Sequence, residues 1–237
     1  GNSAFNRCAL LKRVYVKRSA KVDGSITTLG NNAVFRLTNP GIIVMLPEDS
    51  VEEYTSNAIW KSQQNRWGSG ATWSFDDAER LFSQADVVDG FVIRGNKLYA
   101  YLGSEKDIVV PANVTVLADG AFFGSTATSI TLHENITAIG AMAFMNCASL
   151  TEITLPTSLT SIGARAFNGC PNLLKVIFTA IEAPTVTGVQ LWGGTKDSVA
   201  TVTEIFKQKA DGLVVVVPSE SLEKYQAVFT EVTVVAE

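Results

Sequence analysis

Three stretches of the chain repeat one arrangement of apolar and polar positions. They are VVPANVTVLADGAF (109–122), TLHENITAIGAMAF (131–144) and TLPTSLTSIGARAF (154–167). Each carries an aliphatic residue before the turn (Val110, Leu132, Leu155), a second at Val114, Ile136 or Leu159, and a third at Leu117, Ile139 or Ile162. Alanine precedes phenylalanine every time, and Phe122, Phe144 and Phe167 recur at intervals of 22 and 23 residues. The next part of the unit agrees, because Cys147, Leu150, Ile153 and Leu155 return as Cys170, Leu173, Val176 and Phe178. Ile153 and Leu155 alternate with Thr154, the period of a short strand with one buried face. Pro156 then ends the strand, since it has no N–H to give to a ladder. One such rung cannot bury its own apolar edge, so the spacing predicts stacked rungs with a one-dimensional core.

A longer duplication lies over this one. AFNRCALLKRVYV (4–16) matches AFNGCPNLLKVIF (166–178), and GIIVMLPEDSVEEY (41–54) matches GLVVVVPSESLEKY (212–225). Both copies read as last rung, variable insert, strand, proline and short amphipathic helix. Ser219 is the expected N-cap, with Leu222, Tyr225 and Phe229 on one helix face and Val51, Tyr54 and Ala58 on the other copy's. These units are expected to cover open solenoid ends. The first copy begins in mid-repeat, Gly1 aligning with Gly163. The chain is therefore expected to be a fragment of a longer repeat protein, or to stack its first rung on something else, with Val14–Val16 as a pairing edge. Between the copies, Ser74 and Asp77 resemble a capping box, and Ala78, Leu81, Phe82 and Ala85 mark a helical face. Phe91–Ile93, Asn96 and Leu98–Leu102 read as a hairpin opening the second array. The expected division is 1–67, a truncated final repeat plus capping unit; 68–87, a linker with a short helix; and 88–237, a repeat array with its capping unit.

CASLTEITLPTSLTSIGARAFNGC (147–170) resembles the BspA-like class of bacterial leucine-rich repeats, whose Cys, Leu, Ile-x-Leu-Pro, Leu, Ile-Gly, Ala-Phe pattern it carries. FVIRGNKLYAYLGSEKDIVVP (91–111) resembles the way such arrays begin, and VVVPSESLEKY (215–225) the way they end. Three positions depart from the pattern. His133 stands for the proline after the strand, Ala118 for the glycine, and the rung over 122–130 lacks its cysteine and is one residue short. The resemblance implies an α/β repeat fold: a leucine-rich-repeat solenoid, a right-handed β/α superhelix with short parallel strands and capping strand-helix units. It also implies a secreted or cell-surface, non-catalytic protein that binds a host or bacterial surface protein, or a glycan. No catalytic residue, metal or cofactor comes with it.

Composition narrows the alternatives. Hydrophobic residues make up 46% of the 237 and charged residues 18%, which is a packed chain. The net charge of −4 comes without a basic cluster, which disfavours a nucleic-acid surface. No apolar run approaches the roughly 20 residues that span a bilayer. Three cysteines and one histidine, with no pair at ligand spacing, argue against a disulfide scaffold and structural zinc.

Few side chains invite chemistry. Cys147 and Cys170 hold one repeat position on adjacent rungs and are expected to be free core thiols. His133 has no partner group and reads as an exposed turn residue. Asn113 and Asn135 head NVT and NIT sequons but occupy equivalent repeat positions, so repeat geometry accounts for them. Asp76, Asp77 and Glu79 read as the acidic first turn of a helix. Exposed tryptophan can stack on a sugar or anchor a protein. Trp60 and Trp67 are expected to pack the first cap, which leaves Trp73 and, in the glycine-flanked QLWGGT insert, Trp192 as candidate ligand-binding residues.

Overall fold

The computed structural model describes residues 11, 13–16, 42–56, 81–192, 199–202 and 204–237. Strands β1 (Arg13–Tyr15) and β2 (Ile43–Met45) precede helix α1 (Val51–Ser56) and strand β3 (Leu81–Phe82). An antiparallel unit follows: β4 (Val87–Val88), β5 (Phe91–Arg94) and β6 (Lys97–Tyr101). Each later circuit contributes two strands. These are β7 (Asp107–Val109) with β8 (Val116–Leu117), β9 (Ser129–Thr131) with β10 (Ala138–Ile139), β11 (Glu152–Leu155) with β12 (Ser161–Gly163), and β13 (Lys175–Phe178) with β14 (Thr185–Thr187). A hairpin of β15 (Val189–Trp192) and β16 (Val199–Val202) interrupts the next circuit, which continues through β17 (Val214–Val217), α2 (Leu222–Val228) and β18 (Thr233–Ala236).

The result is a parallel β-solenoid of about five turns. One side is the parallel run β6-β8-β10-β12-β14, with the antiparallel β5 and β4 at its start. A second side holds β7-β9 and β11-β13-β17-β18. On the third side the Ala-Phe turns bond to one another directly. Gly120, Phe122 and Gly124 donate N–H groups to the carbonyls of Ala141, Ala143 and Met145, and Phe144 donates to Ala166 at 2.8 Å. Among the described residues, helices occur only as α1 and α2 of the capping units, and the rungs connect their strands through turns.

The interior is a column of aromatic rings. Phe122 and Phe144 stack with centroids 5.4 Å apart and planes 3° from parallel, and Phe144 and Phe167 do so at 5.1 Å and 6°. Phe206 continues the column at 5.7 Å from Phe167, and Phe229 ends it with an edge-to-face contact at 88°. Phe206 is thus the plug of a further rung, displaced along the sequence by the β15–β16 insertion. Beside the column, the backbones of adjacent rungs touch at the Ile-Gly step. A Cβ on Gly163 would lie 2.2 Å from the Ala141 nitrogen, and one on Gly140 would lie 2.5 Å from the Asp119 nitrogen. Ala118 is tolerated one rung earlier because its neighbour there is the opening hairpin, where its methyl joins a cluster with Val92, Tyr99 and Ala100.

The two capping units share one register. Arg13 pairs with Ile43 as Lys175 pairs with Val214, and Met45 pairs with Phe82 as Val216 pairs with Val235. Leu81 and Phe82, expected on a helix, therefore form the last strand of the first cap. The two-residue strand is too short for alternation to reveal it, and its apolar residues also fit a helical face. Ala78 and the Ser74–Asp77 box lie outside the described residues, whereas Ser83 and Asp86 form a reciprocal cap on a 3-10 turn. Ser219 is not a side-chain cap either; it starts a 3-10 turn, and its hydroxyl donates to the Glu237 carbonyl at 2.9 Å. Tyr225 and Phe229 do face inward, and the Tyr225 hydroxyl donates to the Ala180 carbonyl.

Replacing Phe144 by alanine leaves a hole between two stacked rings and is expected to cost about 3–5 kcal/mol, read from urea unfolding. Gly163→Ala is expected to destabilise too, since backbone rather than a flexible side chain stands in the way of its methyl. Gln208, exposed at φ +56 where other rungs place Gly124 and Gly169, gives the opposite sign. Gln208→Gly is expected to add about 0.5–1 kcal/mol, because an L side chain is disfavoured in the left-handed region.

Candidate interaction surface

The second side of the solenoid is the most regular outward face. Its inward residues, Ile108, Ile130, Ile153, Val176, Val215 and Val234, are all buried. The alternating outward residues change character along the face. Asp107, Val109, Ser129, Thr131, Glu152 and Thr154 come first, polar apart from the exposed Val109, then Lys175, Ile177, Val214 and Val216, with Val235 at the far edge. Lys175 and Glu152 approach to 3.6 Å with both side chains about half exposed, a contact worth at most about 1 kcal/mol in water.

This face has a seam. β7 and β9 form one ladder and β11, β13, β17 and β18 another, while β9 and β11 lie side by side without a ladder between them. The seam is a depression of about 310 Å3 whose polar lining comes from Thr128, Ser129, Thr131, Thr151, Glu152 and Thr154. Hydroxyls both donate and accept, and a carboxylate accepts, so the groove can hydrogen-bond a polar chain along its length.

Several of the remaining sequence candidates have structural partners. The His133 Nδ1 accepts the Asn135 N–H at 3.2 Å, which leaves Nε2–H to donate to the Pro111 carbonyl at 2.8 Å. The ring is half-buried and ties its rung to the preceding one, correcting the reading of an exposed turn residue. Asn135 donates to the Ala112 carbonyl, and Ser158 at the same repeat position donates to Ile136. Asn113 is exposed at the equivalent place. Cys147 and Cys170 are buried thiols outside any disulfide, and they donate to the carbonyls of Phe122 and Phe144 at 3.2 and 3.1 Å. The neighbouring Cys147 thiol holds that of Cys170 below its ordinary value, while burial opposes the shift. Trp192 ends β15, its backbone paired with that of Val199 beside the tip of the inserted hairpin. Trp73, Trp60, Trp67, Asp76, Asp77 and Glu79 lie outside the described residues. Among the described residues no group of three His, Cys, Asp or Glu side chains could hold a metal ion, and no helix is long and apolar enough to cross a membrane.

The two-strand rung with its Ala-Phe turn is the decisive observation, and it coincides with a match to the BspA type leucine rich repeat region in six copies over residues 93–186. Those residues are BspA-type leucine-rich repeats. No curated protein matches the chain. Among solved structures, a leucine-rich repeat protein from Bacteroides ovatus ATCC 8483 is 20% identical with a TM-score of 0.33, covering 56% of this chain and 42% of its own. The pneumococcal vaccine antigen PcpA is 15% identical with a TM-score of 0.40, covering 100% of this chain and 65% of its own. The chain thus spans less than two thirds of either protein's length.

The buried Phe206 plug and the β9–β11 seam are the features that the repeat spacing did not reveal. Ile205-Phe206 followed by Ala210 and Leu213 carried a signal for the rung, but an insertion of variable length separates it from the period. The seam has no signature beyond the irregular rung over 122–130. Burial of both thiols leads to a direct expectation. Iodoacetamide followed by peptide mass mapping should leave Cys147 and Cys170 unmodified in the native protein and alkylate both in guanidinium chloride.

Proposed function

We propose that this chain is a non-catalytic adhesion module, displayed outside the cell or on its surface, that binds a host or bacterial surface protein along the outward face of its strands. The rungs wind right-handed, the hand that parallel crossovers take. The units 1–67, 68–87 and 88–237 act as a capped fragment, a connector and the binding array.

The observation that supports this reading best is the hydroxyl-lined seam between β9 and β11. Elsewhere on this face, parallel pairing occupies the backbone groups between neighbouring strands. At the seam a partner's extended segment can reach threonine and serine hydroxyls and the Glu152 carboxylate. The flanking strands hold these groups in place, so little ordering entropy opposes binding.

A second reading, a glycan-binding component of an uptake system, draws on the β15–β16 insertion. That hairpin brings Trp192 beside its tip and, among the described residues, has no counterpart in the rungs before it. Trp192, with Trp73, would then supply the stacking platform. A third, a purely structural spacer, would have no ligand.

An array of matrix proteins, surface proteins and glycans separates the three. The expected outcome is capture of a protein ligand that Thr131→Arg and Thr154→Arg each weaken at least tenfold without changing the melting temperature. Binding to glycans alone, lost in Trp192→Ala, would replace the protein reading with the glycan one. An array without any bound ligand would leave the spacer.

A further inference from the structure

The duplicated capping units differ in what lies on their outer face. In the first cap, Ile43, Met45 and Phe82 point away from the helix side of the sheet and are 0%, 3% and 0% exposed. They are covered by Val92, Tyr99 and Ala100 of the hairpin that opens the following array, together with Ala118. Phe82 and Tyr99 meet with ring centroids 5.0 Å apart, and the Arg94 guanidinium sits 4.5 Å from the centre of the Phe82 ring. In the second cap the same register places Val214, Val216 and Val235 at these three positions. Val214 and Val216 are half-buried and Val235 is 37% exposed, with a half-buried Ile177 beside them on β13. Outward residues on the two strands before β13, β9 and β11, are polar: Ser129, Thr131, Glu152 and Thr154. Apolar outward residues cluster at the end whose counterpart carries a hairpin, while the start of the face carries a single one, Val109 on β7.

We propose that the outer face of the second cap, centred on Val214, Val216 and Val235, is a docking surface for the opening hairpin of another repeat array. The occupant is a two-stranded hairpin of the same chemistry as residues 91–101, with an apolar and aromatic outer face flanked by cations. The chain supplies its own precedent, since one cap sheet already holds such a hairpin through a buried apolar cluster. A β-branched outer surface loses little rotamer freedom when covered, and each buried valine gains hydrophobic free energy in proportion to the area removed from water. A second intact copy of this chain is not the occupant, because the outer face of its hairpin is already occupied by its own first cap. The surface also lies away from the β9–β11 seam, so the two can fail independently.

The probe is a backbone-cyclised peptide of residues 90–103, whose ends already meet through the Leu102 N–H donating to the Gly90 carbonyl at 2.7 Å. NMR contacts between Val92 and Ala100 establish its hairpin register before use. A fluorescent form titrated against the full-length chain is expected to bind saturably. Val216→Glu and Val235→Glu should each weaken it at least tenfold, Asp107→Lys at the far end of the face should leave it unchanged, and a peptide carrying Tyr99→Lys should not bind. Absence of saturable binding by the folded peptide would overturn the proposal. So would binding that survives both cap variants, which would place the peptide at the first cap instead. Self-association of the full chain that Val216→Glu abolishes would also overturn it, making a second copy the occupant.

Discussion

Everything in this solenoid depends on rungs approaching one another closely enough for their phenylalanines to stack. The rings of Phe122, Phe144 and Phe167 lie 5.4 and 5.1 Å apart. That separation is set by hydrogen bonds running from turn to turn on the third side, and by strand spacing on the other two. Glycine at 140 and 163 permits it, because any Cβ there would collide with the preceding rung's backbone. The cost falls on the turn itself. Met142 and Arg165 adopt φ +55 and +58, a region that disfavours side chains, at the step where Gly120 stands in the first rung. A left-handed residue before each Ala-Phe pair reverses the chain tightly, and stacking on both sides offsets its strain.

That constraint explains which features were legible in the sequence. The periodic residues were legible because each sits where two rungs touch: Phe144 in the column, Ile139 and Ile153 on the inward strand faces, and Cys147 bonded to the carbonyl of Phe122. Features that arise where periodicity stops were not. Leu81–Phe82 reads as part of a helical face because two residues carry no strand period, and only the pairing with Val44 and Met45 defines it. Phe206 was hidden by the inserted hairpin, although its ring stacks like the others. His133 looked like a substitution for proline at an exposed turn, yet its imidazole replaces a rigid ring with two hydrogen bonds that anchor the same turn.

The opening and closing of the array obey different physics from its middle. Interior rungs are interchangeable because each presents the same surfaces above and below. At an end, the stack must meet something that is not a rung. At the last rung this is done by geometry: Phe229 turns its edge to Phe206, and Tyr225 packs against both Phe178 and Phe229. A perpendicular ring offers no parallel face to a further phenylalanine, so the column stops. The Tyr225 hydroxyl meanwhile occupies the Ala180 carbonyl, which a further circuit would otherwise have to satisfy.

The cap closes the interior column but not the sheet beside it. β18 extends the same parallel ladder as β13 and β17 and leaves their outer side chains, Val214, Val216 and Val235, facing outward. In the first unit the same three positions lie beneath the hairpin of the next array, and there they are Ile43, Met45 and Phe82. The substitution of larger side chains where the face is covered, and valines where it is open, follows from packing. A covered face must fill the space under Tyr99 and Arg94, whereas large apolar groups on an uncovered one would widen the surface available for indiscriminate association. One scaffold therefore serves in two settings through the residues on its outer face, while on its inner face Val44 and Tyr54 of one copy recur unchanged as Val215 and Tyr225 of the other.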